Sequence, residues 1–191
     1  MAQKFVQAQS HDVDPLEQAA RIAQALPKGV LLTTRAGDKV DTMTIGWGAV
    51  GVCWARPVFT AYVRTGRFTH ELLDQNAEFT VNIPDAETSR GILGVAGSAT
   101  GRLTDKAADL GLTLVEPKAV SVPAIKELPL TLECRVIYRQ DQDLAALDPQ
   151  IVAKSYPDVP GINPDGSNNG ANRDVHTVFM GEIVAAYEIE R

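Results

Sequence analysis

The sequence has little of what builds metal centres or disulfide frameworks. Its two cysteines, Cys53 and Cys134, sit in apolar, strand-like text outside any C-x-x-C pair. They read as buried free thiols. The histidines His11, His70 and His176 follow no metal-ligand spacing, and the acids near "NPDGSNNG" follow no calcium-loop spacing, so no metal is expected. His11 falls in a polar N-terminal tail, and His70 reads as a surface residue of a short helix. No Ser/His/Asp arrangement has local support. Positive charge is scarce as well. Eighteen Lys and Arg against 24 Asp and Glu leave a formal charge of -6. That balance gives no electrostatic footprint for nucleic acid or an anionic membrane. No apolar run approaches the roughly 18 residues of a membrane helix, and the N-terminal stretch has no signal-peptide core, so a cytoplasmic location is expected. Repeats and linkers are absent too. What remains is a chain of 191 residues, 45% hydrophobic and 22% charged. It is expected to fold as one domain over 1–191.

The pattern along the chain is mostly of strands. "DPLEQAARIAQALPKG" predicts a helix over about 14–26, with Asp14 as cap, Pro15 in the first turn, and Pro27 and Gly29 as the stop. "VLLTT" and "VDTMTIGW" predict a hairpin around Gly37 and Asp38. "PVFTAYVR" and "EFTVNIP" predict further strands, with a short helix at "THELLDQN" between them. Helical pieces follow at "ETSRGILGVAG" and at 105–112. "LPLTLECRVIYRQ" alternates through Leu130, Leu132, Cys134, Val136 and Tyr138 as a long strand. "DPQIVAKSY" predicts a capped helix, 157–174 a loop, and "HTVFMGEIVAAYEIE" a closing strand. The alternation of strand and long helix needed for a parallel sheet is missing. The expected fold is mainly β with short helices, an antiparallel barrel.

"TIGWGAVG" at 44–51 matches the dinucleotide pattern G-x-G-x-x-G through Gly46, Gly48 and Gly51. A dinucleotide site needs a helix next, and an acid about 20 residues on. The text that follows is "VCWARPVFTAYV", with Pro57 where that helix should run, and then the basic "RTGRFTH". Both conditions fail. The glycines instead mark backbone that bends or must approach something closely. Gly91, Gly94 and Gly97 fit no phosphate motif.

"VRTGRFTHELL" at 63–73 carries more information. A strand ends at Arg64, turns at Gly66 and enters a helix near Thr69. Arg64 and Arg67, the hydroxyls of Thr65 and Thr69, and free helix N–H groups would converge there. These are the parts that hold a phosphate monoester. A capped helix with solvated arginines is the alternative.

Three blocks in order resemble the flavin reductase-like family, the FMN-binding split β-barrels that include flavoredoxin. They are 41–84, 97–113 ("GSATGRLTDKAADLGLT") and 176–183 ("HTVFMGEI"). The tail "ECRVIYRQDQDLAALDP" is similar too. The first block is the most specific, through T-x-x-W-G, R-x-S/T-R-x-T and V-N-I-P. The resemblance implies a homodimeric antiparallel split barrel with non-covalent FMN near the dimer interface. It places Thr44, Ile45, Gly46 and Trp47 along the isoalloxazine, with Gly46 and Gly48 allowing close approach. It places Arg64, Thr65, Arg67 and Thr69 on the phosphate, supported by Asn82. Ala96, Ser98, Thr100 and Gly101 would border the flavin, Lys106 would add charge, and His176 would stand near the ring as the one candidate catalytic side chain. Many relatives carry a cysteine before G-x-x-S-G-R, where this chain has Val95 and Ala96. Many also read S-G-R-D-x-D-K, where this chain has Leu103 in place of the first acid.

The expected function is an FMN-dependent oxidoreductase of the flavin reductase or flavoredoxin type. FMN is its cofactor, NAD(P)H or a protein its electron donor, and a second copy its partner. A reductase of ferric chelates or another small acceptor is the alternative enzyme. A flavin-binding electron carrier without its own substrate is the alternative of another class.

Overall fold

The computed structural model describes residues 4–156 and 174–190. The elements in order are β1 (Ser10–Asp12), α1 (Ala19–Ala25), β2 (Val30–Ala36), β3 (Lys39–Ile45), β4 (Gly48–Cys53), β5 (Arg56–Arg64), α2 (Phe68–Gln75) and β6 (Glu78–Ile83). They continue with α3 (Arg90–Ser98), α4 (Lys106–Asp109), β7 (Leu114–Val115), β8 (Ala124–Ile125), β9 (Leu130–Asp141), α5 (Pro149–Ser155) and β10 (His176–Ile189). Eight strands form one sheet in the order β3-β2-β6-β9-β10-β5-β4, with β1 added against β10. Every pairing in it is antiparallel.

Alternation explains the core. Val30 and Leu32 of β2, Phe79, Val81 and Ile83 of β6, Leu130, Leu132 and Cys134 of β9, and Phe59, Ala61 and Val63 of β5 all point into one cluster. The curled sheet closes around it. The opposite face of β2 sends Leu31 into a second cluster with Ala96, Ala107, Ile125 and Leu128, beneath α3 and α4. The opposite face of β6 and β9 is polar but buried. There Asn82 donates to Thr131 Oγ1 at 2.9 Å, and Thr80 donates to the Pro123 carbonyl at 2.8 Å. Burial pushes the Cys134 thiol well up, whereas Cys53 ends β4 half-exposed rather than buried.

Several expectations shift. Helix α1 starts only at Ala19, because Asp14 caps an irregular first turn by accepting from the Leu16 amide at 2.8 Å. The inward alternation of β9 fails at Tyr138, which is 40% exposed. The pairs Met180↔Tyr138 and Gly181↔Val136 skip Ile137. That bulge turns the following residues to the other face. The strand expected over "VDTMTIGW" forms but stops two residues short. β3 ends at Ile45 and β4 begins at Gly48, and β4 returns to β5 through Trp54 and Ala55 at φ 50 and 55. The predicted loop falls, from 157 to 173, outside the described residues. Among the described residues no helix is long and apolar enough to cross a membrane.

Candidate functional site

The two ends of the sheet, β3 and β4, are not hydrogen-bonded to each other. The chain crosses this opening through Gly46 and Trp47. Along the crossing lies a cavity of about 200 Å³, lined by Met43, Thr44, Ile45, Gly46, Trp47, Tyr62, Arg64, Arg67 and His176. A second cavity of about 230 Å³ lies between the start of α2 and the α3–α4 segment. Asp41, Met43, Arg67, Thr69, Ala96, Ser98, Thr100, Gly101 and Lys106 line it. Met43 and Arg67 belong to both. A larger groove of about 860 Å³, lined by Ala20, Ala23, Leu26, Trp47, Gly48 and Tyr156 among others, opens on the far side of Trp47.

Arg67 is the N-cap residue of α2, with extended backbone at φ -81 and ψ 144. The Phe68 and Thr69 amides behind it have no described acceptor, whereas the His70 amide donates to the Arg67 carbonyl at 3.0 Å. Its guanidinium makes no hydrogen bond to a described residue. Burial lowers its pKa, Asp174 opposes that shift, and Arg64 adds to it. Arg64 is engaged instead. Its Nη1 donates to the Asp174 carbonyl at 2.7 Å, and its Nη2 to the Ser155 carbonyl at 2.9 Å.

The second cavity has a buried ion pair in its wall. Lys106 Nζ lies 3.1 Å from Asp41 Oδ1 and donates to the Thr42 carbonyl at 2.7 Å. Both side chains are almost fully buried. Desolvation raises the Asp41 pKa and lowers that of Lys106, each partly offset by the other's charge. Gly101 presses on this pair. A Cβ there would come within 2.1 Å of Asp41 Oδ1, so only glycine lets the loop close over the carboxylate.

At the other end, the exposed Trp47 ring lies 4.7 Å from the His176 ring. His176 is 7% exposed, and its Nδ1 is 2.8 Å from the Tyr156 hydroxyl. Burial, with the nearby charges of Arg64 and Arg67, lowers its pKa to about 3. The imidazole is therefore neutral at physiological pH.

The structure brings Thr44, Ile45, Gly46, Trp47, Arg64, Arg67 and His176 to one cavity, and Arg67, Thr69, Ala96, Ser98, Thr100, Gly101 and Lys106 to the other. Three expected residues line neither. Gly48 faces the larger groove, where a Cβ would meet the Thr60 carbonyl at 2.9 Å. Thr65 donates its amide to the Val175 carbonyl. Asn82 is 0% exposed, with its amide spent on Thr131. Within the cavities, Thr44 and Thr69 have their hydroxyls taken by the Leu93 carbonyl and Met43 Sδ. His70 is not a surface residue. It is buried, and its Nε2 is 2.7 Å from Thr177 Oγ1. Asp41, Met43, Tyr62 and Tyr156 were not singled out in sequence. Only Asp41 left a signal there, as an acid inside an apolar, β-branched strand.

This strand order, open between β3 and β4 with a polar and aromatic cavity in the opening, defines a split β-barrel. Residues 23–191 match the family described as flavin reductase like domain. The chain belongs to that family. It is 34% identical over 111 residues to an uncharacterized protein of Archaeoglobus fulgidus, a match covering 58% of this chain and 62% of that relative. Its fold is similar to that of an FMN-binding domain of a flavin reductases-like enzyme from Shewanella baltica (TM-score 0.61, 18% identity, 96% of this chain and 79% of the other). It is also similar to flavoredoxin of Desulfovibrio vulgaris (TM-score 0.61, 22% identity, 85% and 69%).

Proposed function

We propose that the chain is an FMN-dependent oxidoreductase of the flavin reductase type. The observation that carries this is Arg67. Its guanidinium has no described hydrogen-bond partner, it stands at a helix N-terminus, and it lines two adjoining cavities, one of them also lined by Trp47. A donor set of that kind fits an anionic group joined to a planar aromatic one. The fit is to FMN rather than to a metal. Among the described residues, no group of three or more His, Cys, Asp or Glu could hold an ion.

Arg67 and the amides of Phe68 and Thr69 hold the phosphate in this reading, and Arg64 adds charge nearby. Backbone of Thr44–Trp47 runs beside the ring, and Ala96, Ser98, Thr100 and Gly101 border it. Lys106 acts through Asp41, keeping the loop shut, rather than by touching the phosphate. When bound, FMN supplies the redox centre, and the protein supplies position and electrostatics. Trp47 and His176 stand together in the wall of the cavity. NAD(P)H is the proposed donor. A second copy is the proposed partner, resting on the exposed rings of Trp54 and Tyr138, 6.2 Å apart, and on the exposed Val52 two residues before Trp54. The cytoplasm is the proposed location.

The test is anaerobic addition of NADH or NADPH to the FMN-loaded protein. Loss of the flavin's visible absorption is expected with at least one of them. An unchanged spectrum with both overturns the reductase assignment and leaves an electron carrier.

A further inference from the structure

We propose that Arg64, Tyr156 and Gln142 form a bracket that fixes the His176 imidazole with Nδ1 protonated and Nε2 bare, so that the ring accepts a hydrogen bond from a ligand N–H or O–H in the cavity. The use of the bracket rests on the flavin assignment. Its geometry does not.

The proton count sets the direction. The Tyr156 hydroxyl is 2.5 Å from Gln142 Oε1, an acceptor only, and therefore spends its single proton there. The phenol oxygen can then only accept from His176 Nδ1. In a neutral imidazole this leaves Nε2 without a proton. Nε2 has no described partner, and His176 lines the cavity. A planar imide or carboxamide has the N–H that such an acceptor takes.

Each member of the bracket is itself held. Gln142 donates its backbone amide to the His176 carbonyl at 2.9 Å, so one residue grips both the backbone and, through Tyr156, the ring. Tyr156 is the C-cap residue that follows α5, and Arg64 Nη2 donates to the Ser155 carbonyl just before it. The Arg64 guanidinium also lies 5.2 Å from the Tyr156 ring centroid. Arg64 pairs directly with His176 across β5 and β10. It is therefore a positioning residue for the imidazole as well as a nearby charge. Around the ring stand Arg64 and Tyr62 from β5, Arg67 from α2, Tyr156 from α5, and Asp174 before β10. Both arginines resist protonation of the ring.

The experiment is nitrogen NMR of the apo full chain labelled with 15N-histidine, the His176 signals being assigned by their loss in His176→Asn. The Nδ1-protonated tautomer is expected, unchanged from neutral pH to pH 5. Tyr156→Phe removes only a hydroxyl and is expected to release the tautomer. Arg64→Gln is expected to disturb the same signals. An Nε2-protonated ring in the native chain, or an unaltered tautomer in Tyr156→Phe, overturns the proposal. Unaltered signals in Arg64→Gln remove Arg64 from the bracket. FMN titration is the second arm. Tyr156→Phe and His176→Asn are each expected to weaken binding about three- to tenfold, with the double variant no worse than His176→Asn alone. Additive losses overturn the coupling. A native chain that binds no FMN overturns the flavin assignment and leaves the NMR result to stand alone.

Discussion

Arg64 and Arg67 are near neighbours in sequence with opposite circumstances. The Arg64 guanidinium is tied to two carbonyls, and the Arg67 guanidinium makes no hydrogen bond to a described residue. Arg67→Ala should therefore cost about 1.5–3 kcal/mol of FMN affinity, the loss of a charged hydrogen bond, with little change in Tm. Titration calorimetry and thermal melting check the pair of results. Lys106→Met should behave in the reverse way. It leaves Asp41 buried without its cation, which costs about 3–5 kcal/mol in urea unfolding, and adding Asp41→Asn should recover part of that. His176 makes a pH prediction. Its folded pKa of about 3 lies below the ordinary 6.5. The unfolded chain takes up the proton first, so stability falls as pH drops from 6.5 toward 3. His176→Asn should lack that part of the decline, which denaturation at a series of pH values between 7 and 5 measures. At this scale the sequence shows Arg67 and Trp47 through local motifs. It hides Asp41–Lys106 and Tyr156–His176, because those partners meet only after the sheet has closed.

Among the elements, legibility follows turn chemistry. The β2–β3 hairpin is visible because Gly37, at φ 57, occupies its loop. The β4–β5 hairpin is hidden because Trp54 and Ala55 make its turn at positive φ, where a reader looks for Gly or Asn. Left-handed backbone costs an L-residue about 1 kcal/mol or more. Ala55→Gly should therefore raise stability by about 0.5–1 kcal/mol, read as a higher midpoint in urea with the slope unchanged. β1 was not legible either. Its residues Ser10, His11 and Asp12 have no strand propensity, and pairing with β10 alone makes them a strand.

For the whole molecule, the barrel was legible from the number of alternating strands and the absence of long helices. Its opening was legible only through the family resemblance, since no local signal says which two strands fail to pair. That opening gives "TIGWGAVG" its meaning. Gly46, with Trp47, carries the chain across the gap, Gly48 and Gly51 lie in β4, and the positive charge stands at the start of α2 instead. The central claim is that the adjoining cavities in the opening are one FMN site. Fluorescence titration of the flavin-stripped native chain with FMN tests it most directly, with Arg67→Ala alongside. Saturable quenching at one FMN per chain is expected, weakened at least about tenfold in Arg67→Ala. No saturable binding by the native chain, or identical affinity in the variant, would contradict it.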